Sequence, residues 1–96
     1  MSTARLVVKG EGVVNLSGAL NFSSTPDIWL QLKALLEQGG VEQISLSGVE
    51  SSNSAALAML IEAKAMAKRL DRSLQITDLP EGLRDLANIS NALELI

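Results

Sequence analysis

Four small polar residues in succession, Ser51 to Ser54, are the residues of this chain best placed to do chemistry. Before them, an apolar stretch predicts a strand over residues 41–47 and a loop over residues 48–53; after them, an Ala-, Met- and Leu-rich segment predicts a helix from Ser54. Ser and Asn cap helices because a side-chain oxygen accepts a hydrogen bond from a free N–H of the first turn. The same N–H groups favour an anion, a phosphate or a partner's carboxylate. One N-cap needs only one side chain, so the excess of small polar residues predicts a further role. The simpler alternative is that all four are only caps and turn formers.

The composition excludes most catalytic chemistry. The chain has 96 residues and no cysteine or histidine, which removes thiol nucleophiles, thiolate and imidazole metal ligands, and the Ser-His-Asp triad. The carboxylates show no pairing pattern, and the chain contains no G-x-x-x-x-G-K phosphate loop; these carboxylates are Asp27, Glu50, Asp78 and Glu81. We therefore expect no enzyme, no catalytic residue, no metal site and no cofactor.

Charge and hydropathy limit the partners. The net charge is −3 and the pI is about 4.8, which argues against nucleic acid as a ligand. The chain starts MSTARLVVKGEG, which reaches a charge at Arg5 before any apolar signal-peptide core, and no apolar run approaches the roughly 20 residues that span a bilayer. We expect a cytoplasmic protein without direct membrane insertion.

Two elements precede the polar segment. Residues 5–9 and 13–17 are β-branched runs joined by Gly10-Glu11-Gly12, which predicts an antiparallel hairpin. Residues 17–22 are less regular and should lead out of the sheet. Thr25 as N-cap, followed by Pro26 and Asp27, predicts a first helix that stops at Gly39-Gly40.

The elements after the polar segment complete an alternating pattern. The second helix is expected over residues 54–70, a strand over 73–77, a third helix over 83–89 and a short edge strand over 93–96. The order β-β-α-β-α-β-α-(β) predicts a single α/β domain over residues 1–96, with about three to four helices packed on a small mixed β-sheet.

Helical spacing separates core from surface candidates. Trp29 lies beside the apolar stripe of the first helix, either as a rim residue of the core or as an interface anchor, since Trp is enriched in binding hot spots; the stripe is Ile28, Leu32, Leu35 and Leu36. The expected inward face of the second helix is Ala56, Leu57, Leu60, Ile61, Ala63, Ala67 and Leu70. In the third helix it is Leu83, Leu86 and Ala87.

The remaining side of the second helix has two features. Its small residues predict either a flat docking face or only high helix propensity; they are Ala55, Ala58 and Ala65. The cations near its C-terminus are interpreted as solvated charges that favour the helix dipole; they are Lys64, Lys68, Arg69 and Arg72.

The element order and the motif LSGVESSNSAALAML resemble the STAS domain, the fold of sulfate transporters and anti-sigma factor antagonists. In the family motif an Asp, two small positions, a Gly and a Leu open the second helix. The corresponding residues here are Asn53, Ser54, Ala55, Ala56 and Leu57. In antagonists of the sigma-factor switch the second small position is the phosphorylated serine, and here that place is Ala55, which has no hydroxyl.

Of the two small positions of this motif, only the first has a hydroxyl. In this the motif is similar to one branch of the family, the cytoplasmic STAS subunit of the ABC transporter that maintains outer-membrane lipid asymmetry. The resemblance implies a domain that binds the transporter's ATPase subunit and supports its assembly and activity. It also implies that Ser54 lies in the ATPase contact, and a tryptophan in the first helix of that subunit matches Trp29.

Two functions therefore follow, and both use the start of the second helix. In the first, the protein is a regulatory subunit associated peripherally with the inner membrane through its transporter complex, and its expected partner-binding residues are Trp29, Ser52, Asn53, Ser54, Ala55 and Ala58. In the alternative it is an anti-sigma factor antagonist, phosphorylated at Ser54 or Ser52, with Ser51 as a further acceptor.

Overall fold

The computed structural model describes residues 4–96 and confirms the predicted alternation of strands and helices; the first three residues of the expected domain lie outside this range. In chain order the elements are β1 (Arg5–Gly10), β2 (Val13–Leu20), α1 (Thr25–Gln38), β3 (Gln43–Ser52), α2 (Ser54–Arg69), β4 (Gln75–Thr77), α3 (Glu81–Ile89) and a C-terminal 3-10 helix (Leu93–Leu95).

The strands form one mixed sheet with the order β1-β2-β3-β4. β1 pairs antiparallel with β2, whereas β2 with β3 and β3 with β4 are parallel pairs. The hairpin turn is confirmed, and its three residues Gly10, Glu11 and Gly12 have φ values of 90°, 55° and 81°. Two of these three left-handed positions are glycines, which adopt this conformation without a Cβ clash.

The expected exit of residues 17–22 from the sheet is wrong, because β2 continues to Leu20. Its last residues find partners on β3: Gly18 pairs with Val49 and Leu20 pairs with Ser52. The Leu20 side chain is fully buried in the core. Pairing with a distant strand therefore extends β2 beyond the β-branched run that marks it in the sequence.

The expected loop over residues 48–53 is also wrong, because β3 runs from Gln43 to Ser52 and only Asn53 separates it from α2. Two register shifts, between Asn15 and Ser17 and between Gly18 and Ala19, keep β2 and β3 paired along this length. The backbone groups that a loop would have presented to water are thus hydrogen-bonded within the sheet.

One aliphatic core joins the sheet to the three helices. Alternate residues of β2 are buried, which is the pattern of a strand with one face on a core. Most of the expected inward positions are confirmed, whereas Leu35, Ile61 and Leu86 are only half-buried and Leu70, at the C-cap of α2, is exposed. Three buried residues of α2 were not predicted to face inward: Ala55, Met59 and Met66.

Helix boundaries differ from expectation by one or two residues at three places. α1 begins at Thr25, so Ser24 rather than Thr25 is the N-cap residue, and the Ser24 hydroxyl instead donates to the Ala19 carbonyl over 2.7 Å. α2 ends at Arg69, one residue early, and α3 begins at Glu81, two residues early. The short strand expected over residues 73–77 covers only Gln75–Thr77.

The expected C-terminal edge strand is wrong, since residues 93–95 form a 3-10 helix. The Ala92 N–H donates to the Ala87 carbonyl over 2.7 Å, and the Ala92 side chain is buried. This bond turns the chain back over the end of α3 and onto the core, so residues 93–95 do not extend the sheet as a strand.

Two of the four cations near the end of α2 are not simply solvated, as had been expected. Arg72 Nη1 donates to the Leu36 carbonyl at the end of α1 over 2.6 Å, and Lys64 Nζ donates to the Leu74 carbonyl over 2.6 Å. Both side chains therefore tie α2 and its exit turn to neighbouring segments. Arg69 remains on the surface in an exposed ion pair with Glu62.

Gly39 ends α1 and gives a test of this packing. It adopts φ 82°, and a Cβ at this position would lie 2.7 Å from Arg72 Nη1. We predict that Gly39→Ala lowers the free energy of unfolding by about 1–2 kcal/mol, because it adds left-handed strain and displaces the Arg72 bond.

Gly40→Ala is the matched control, since a Cβ at Gly40 meets no atom within 4 Å. Its free energy of unfolding in urea should stay within about 0.5 kcal/mol of the wild type. Equal losses for the two variants would contradict the assignment of Gly39 as the left-handed helix end.

Candidate functional site

Asn53 caps α2 and ties the helix start to the sheet. Its Oδ1 atom accepts a hydrogen bond from the Ala55 N–H over 2.9 Å, and its backbone is extended, as an N-cap requires. The Asn53 N–H donates to the Leu20 carbonyl over 3.3 Å, at the end of β2. The cap predicted among the four polar residues is therefore filled by Asn53.

Ser54 is the first residue of α2 and is exposed. Within residues 4–96 its hydroxyl has no hydrogen-bond partner, since the cap bond is made by Asn53. Ala58 lies one turn further along the helix and is also exposed. A hydroxyl and a methyl group are thus presented to solvent on the same face of α2, at i and i+4.

Ser51 and Ser52 lie at the end of β3 rather than in a loop. Ser52 is half-buried and pairs with Leu20, whereas Ser51 is exposed and pairs with Ala19. The structure therefore separates the four polar residues into two strand residues, one cap and one helical residue. Of these, Ser51 and Ser54 present the accessible hydroxyls.

A shallow open groove of about 250 Å³ lies between the first turns of α1 and α2. Trp29 and Pro26 contribute to its α1 side, and Ala55, Ala58 and Met59 to its α2 side. The structure thus brings together three residues that the sequence marked separately, Trp29, Ala55 and Ala58. Trp29 is half-buried and packs on the core as well, so it is both a rim residue and a groove wall. Ala55 also lines the groove but is only 8% exposed, so little of its side chain is accessible to a partner.

Phe22 is a surface residue near this site that the sequence did not single out. Its side chain is 70% exposed, in the turn between β2 and α1. The turn is held by Asn21, whose Oδ1 atom accepts from the Ser23 and Ser24 N–H groups over 2.9 and 3.0 Å. Because β2 and β3 are parallel, this turn and the start of α2 leave the sheet at the same edge. The sequence signal that could have identified Phe22 is an aromatic residue within a polar turn.

Glu62 is the charged residue among those that line the groove. The first turn of α2 contains no acidic residue, so the partial positive charge of its N–H groups is not offset by a side chain. Glu62 lines the far end of the groove, where it pairs with Arg69 over 3.3 Å in an exposed position. Among residues 4–96 no three His, Cys, Asp or Glu side chains are grouped closely enough to hold a metal ion. Nor is any helix in this range both long and apolar enough to cross a bilayer.

Comparison with known proteins relates this architecture to one family. A family model described as "Mlab, STAS domain" matches residues 6–96. The structure of the anti-sigma factor antagonist SpoIIAA in its unphosphorylated form is similar with a TM-score of 0.73 and 12% sequence identity, over 97% of this chain and 84% of that chain. The phosphorylated form of SpoIIAA, a Bacillus cell fate determinant, gives a TM-score of 0.70 at 12% identity, over 94% and 85%. No curated protein sequence matches significantly. At such low identity the two structures establish a shared fold, which confirms the predicted α/β architecture.

The division of roles between Asn53 and Ser54 leads to a stability test. Asn53→Ala removes the cap of α2 and should lower the free energy of unfolding by about 1 kcal/mol. Ser54→Ala removes a hydroxyl without an internal partner and should change it by only a few tenths of a kcal/mol, since alanine is the stronger helix former. Urea denaturation of both variants measures the difference. A larger loss for Ser54→Ala than for Asn53→Ala would contradict the cap assignment.

Proposed function

The chain belongs to the family of MlaB STAS domains, and from this membership we propose that it is a non-catalytic regulatory and assembly subunit of an ABC phospholipid transporter. In this role residues 1–96 act as a single domain that binds the transporter's cytoplasmic ATPase subunit. The protein then resides in the cytoplasm and is held at the inner membrane by the complex, without inserting into the bilayer.

The groove between α1 and α2 is the observation that carries this proposal. Trp29 and Ala58, selected from the sequence as partner-binding residues, line the same concave surface, and Ser54 lies one turn from Ala58. Tryptophan is enriched in binding hot spots, and a partner side chain that fills the concavity would exclude water from it. Exposed Phe22 extends the same edge of the domain.

Small side chains at the start of α2 permit close approach of a partner backbone. Ser54 and Ala58 add little volume beyond the helix itself, and the free Ser54 hydroxyl can donate and accept across an interface. Ser52 and Asn53 lie beside them, with Asn53 already committed to the helix cap. We propose that Ser54 and Ala58 contact the ATPase directly, while Asn53 and Ala55 shape the surface on which they stand.

Regulation by such a subunit requires differential binding. A bound domain changes ATPase activity only to the extent that it binds one conformation of the ATPase more tightly than another. The domain itself has a continuous core and a helix start fixed by the Asn53 cap and the Leu20 bond, so it presents a preformed surface. In the proposed role, this preformed surface binds one conformation of the ATPase more tightly than the others.

Ser54 gives a direct test. Ser54→Glu places a carboxylate in the first turn of α2, where the helix dipole favours it, so the fold should be retained. In the interface the added charge would be desolvated without a partner, and we expect ATPase affinity to fall at least about tenfold. Ser54→Thr keeps the hydroxyl and should bind within about twofold of the wild type. Calorimetric titration of the purified ATPase subunit measures both, and equal affinities for the two variants would sink the proposal.

A second pair of variants separates the groove from general surface charge. Ala58→Arg places a bulky cation at the edge of the groove, whereas Ala34→Arg places the same side chain on the exposed side of α1. Loss of ATPase binding in Ala58→Arg alone is expected, and equal loss in Ala34→Arg would show that charge rather than the groove is responsible.

The alternative function, an anti-sigma factor antagonist controlled by phosphorylation, is favoured by one observation. Ser54 presents an exposed hydroxyl in the first turn of α2, where the N–H groups stabilise a phosphate. Ser51 is a second accessible hydroxyl, whereas Ser52 is half-buried and Ala55 has none. In this function a phosphate on Ser54 would switch partner binding by adding about −1.5 to −2 charge.

Intact-mass analysis after incubation with a cognate serine kinase and ATP tests the alternative. A single added phosphate that is abolished by Ser54→Ala, but not by Ser52→Ala, is the expected result for this function. An unchanged mass would reject it, and a phosphate that persists in Ser54→Ala would move the acceptor to another serine.

A further inference from the structure

A second concavity lies on the C-terminal half of α2, away from the groove at its start. Its volume is about 530 Å³, within the range of roughly 300–1,000 Å³ typical of small-molecule sites. Apolar side chains line part of it: Ile61 and Ala65 from α2, Leu74 from the segment before β4, and Leu95 from the C-terminal 3-10 helix. None of its lining residues belongs to the groove between α1 and α2.

The polar part of the lining is strongly basic. Lys64, Lys68 and Arg72 line the concavity together with one acidic residue, Glu94. The Arg72 guanidinium itself lies against Gly39 and the Leu36 carbonyl at the end of α1, so Lys64 and Lys68 supply the charge within the concavity. Lys64 and Lys68 are one helical turn apart, and Arg72 follows in the exit turn. The lining therefore has a net positive charge in a chain whose net charge is −3.

Neutralisation of the α2 dipole accounts for Lys68, which lies in the last turn of the helix, but not for Lys64 and Arg72. Lys64 Nζ is bound to the Leu74 carbonyl and Arg72 Nη1 to the Leu36 carbonyl, so neither cation is directed at the last carbonyl groups of α2. The same bonds hold the two heads in place while leaving most of their donors unused. An ammonium has three N–H donors and a guanidinium has five, and each uses one here.

We propose that this concavity is a binding site for a small organic phosphate. The phosphate group lies against Lys64 and Lys68, and a short apolar body lies against Ile61 and Leu95. A phosphate is preferred to a carboxylate because its dianionic form matches two lysines one helical turn apart and offers three acceptor oxygens to their N–H donors. The same chemistry is provided by a free phosphate ester and by the phosphate headgroup of a lipid.

Hexyl phosphate is a suitable probe, because it combines the charge with a short apolar chain. Titration of the ¹⁵N-labelled domain should produce saturable shifts of amide resonances within residues 61–74 and 93–96. Hexanol and inorganic phosphate, each with half of the recognition chemistry, should bind more weakly. Vesicles then distinguish a lipid headgroup from a free phosphate ester. Binding to vesicles that contain phosphatidic acid, but not to phosphatidylcholine vesicles, assigns a lipid headgroup. Binding to hexyl phosphate but to neither kind of vesicle assigns a free ester.

Two lysine variants decide whether the site is specific. Lys68→Gln removes an exposed cation of the concavity and should weaken hexyl phosphate binding about two- to fivefold, the range of one exposed ion pair. Lys33→Gln removes an exposed lysine of α1 outside the concavity and should leave the affinity unchanged. Absence of saturable shifts, equal weakening by both variants, or equal binding of hexanol would each overturn the proposal.

Discussion

The parallel pairing of β2 with β3 is the constraint on which the rest of the structure depends. It extends both strands to the same edge of the sheet, where Leu20 pairs with Ser52 and the Leu20 carbonyl accepts the Asn53 N–H. α2 must then begin at once, because one residue separates it from β3. Since Asn53 is both the link to β2 and the cap, the direction and position of α2 are fixed by the sheet rather than by a loop. The groove beside Trp29 is a consequence, since it lies where this fixed helix passes α1.

Local signals were sufficient for the elements whose ends are determined by their own residues. The hairpin follows from Gly10-Glu11-Gly12, the end of α1 from Gly39, and the span of α2 from its Ala- and Leu-rich spacing. The length of β3 could not be read in this way. Ser47 to Ser52 contains few strand-forming residues, and it is a strand because β2, some 30 positions away in the chain, supplies its hydrogen bonds. Arg72 is a similar case, since its partner Leu36 is 36 residues away.

The candidate site likewise combines residues that local sequence signals identify with an arrangement that only tertiary packing creates. Ser54, Ala58 and Trp29 could be selected from the sequence because small polar, small apolar and aromatic residues at helix starts have recognisable uses. Their assembly into one surface is a tertiary property, as is the exposure of Phe22, and neither has a signature in local spacing. The same holds for the basic concavity, because helical spacing indicates only charges that favour the α2 dipole, whereas Lys64 and Arg72 bind carbonyl groups of other segments. Partner contacts of Ser52 to Ala55 stay a prediction.

The central claim is that the start of α2, together with the groove beside it, is the surface that binds an ABC transporter ATPase. The most direct measurement is the NMR spectrum of the ¹⁵N-labelled domain during titration with the unlabelled ATPase subunit. Trp29 is the only tryptophan of the chain, so its indole N–H gives a single resonance inside the groove. We predict that this resonance and the amides of residues 52–58 shift or broaden first. Perturbation confined to β1, or to residues 61–74, with the Trp29 indole unchanged, would contradict the claim.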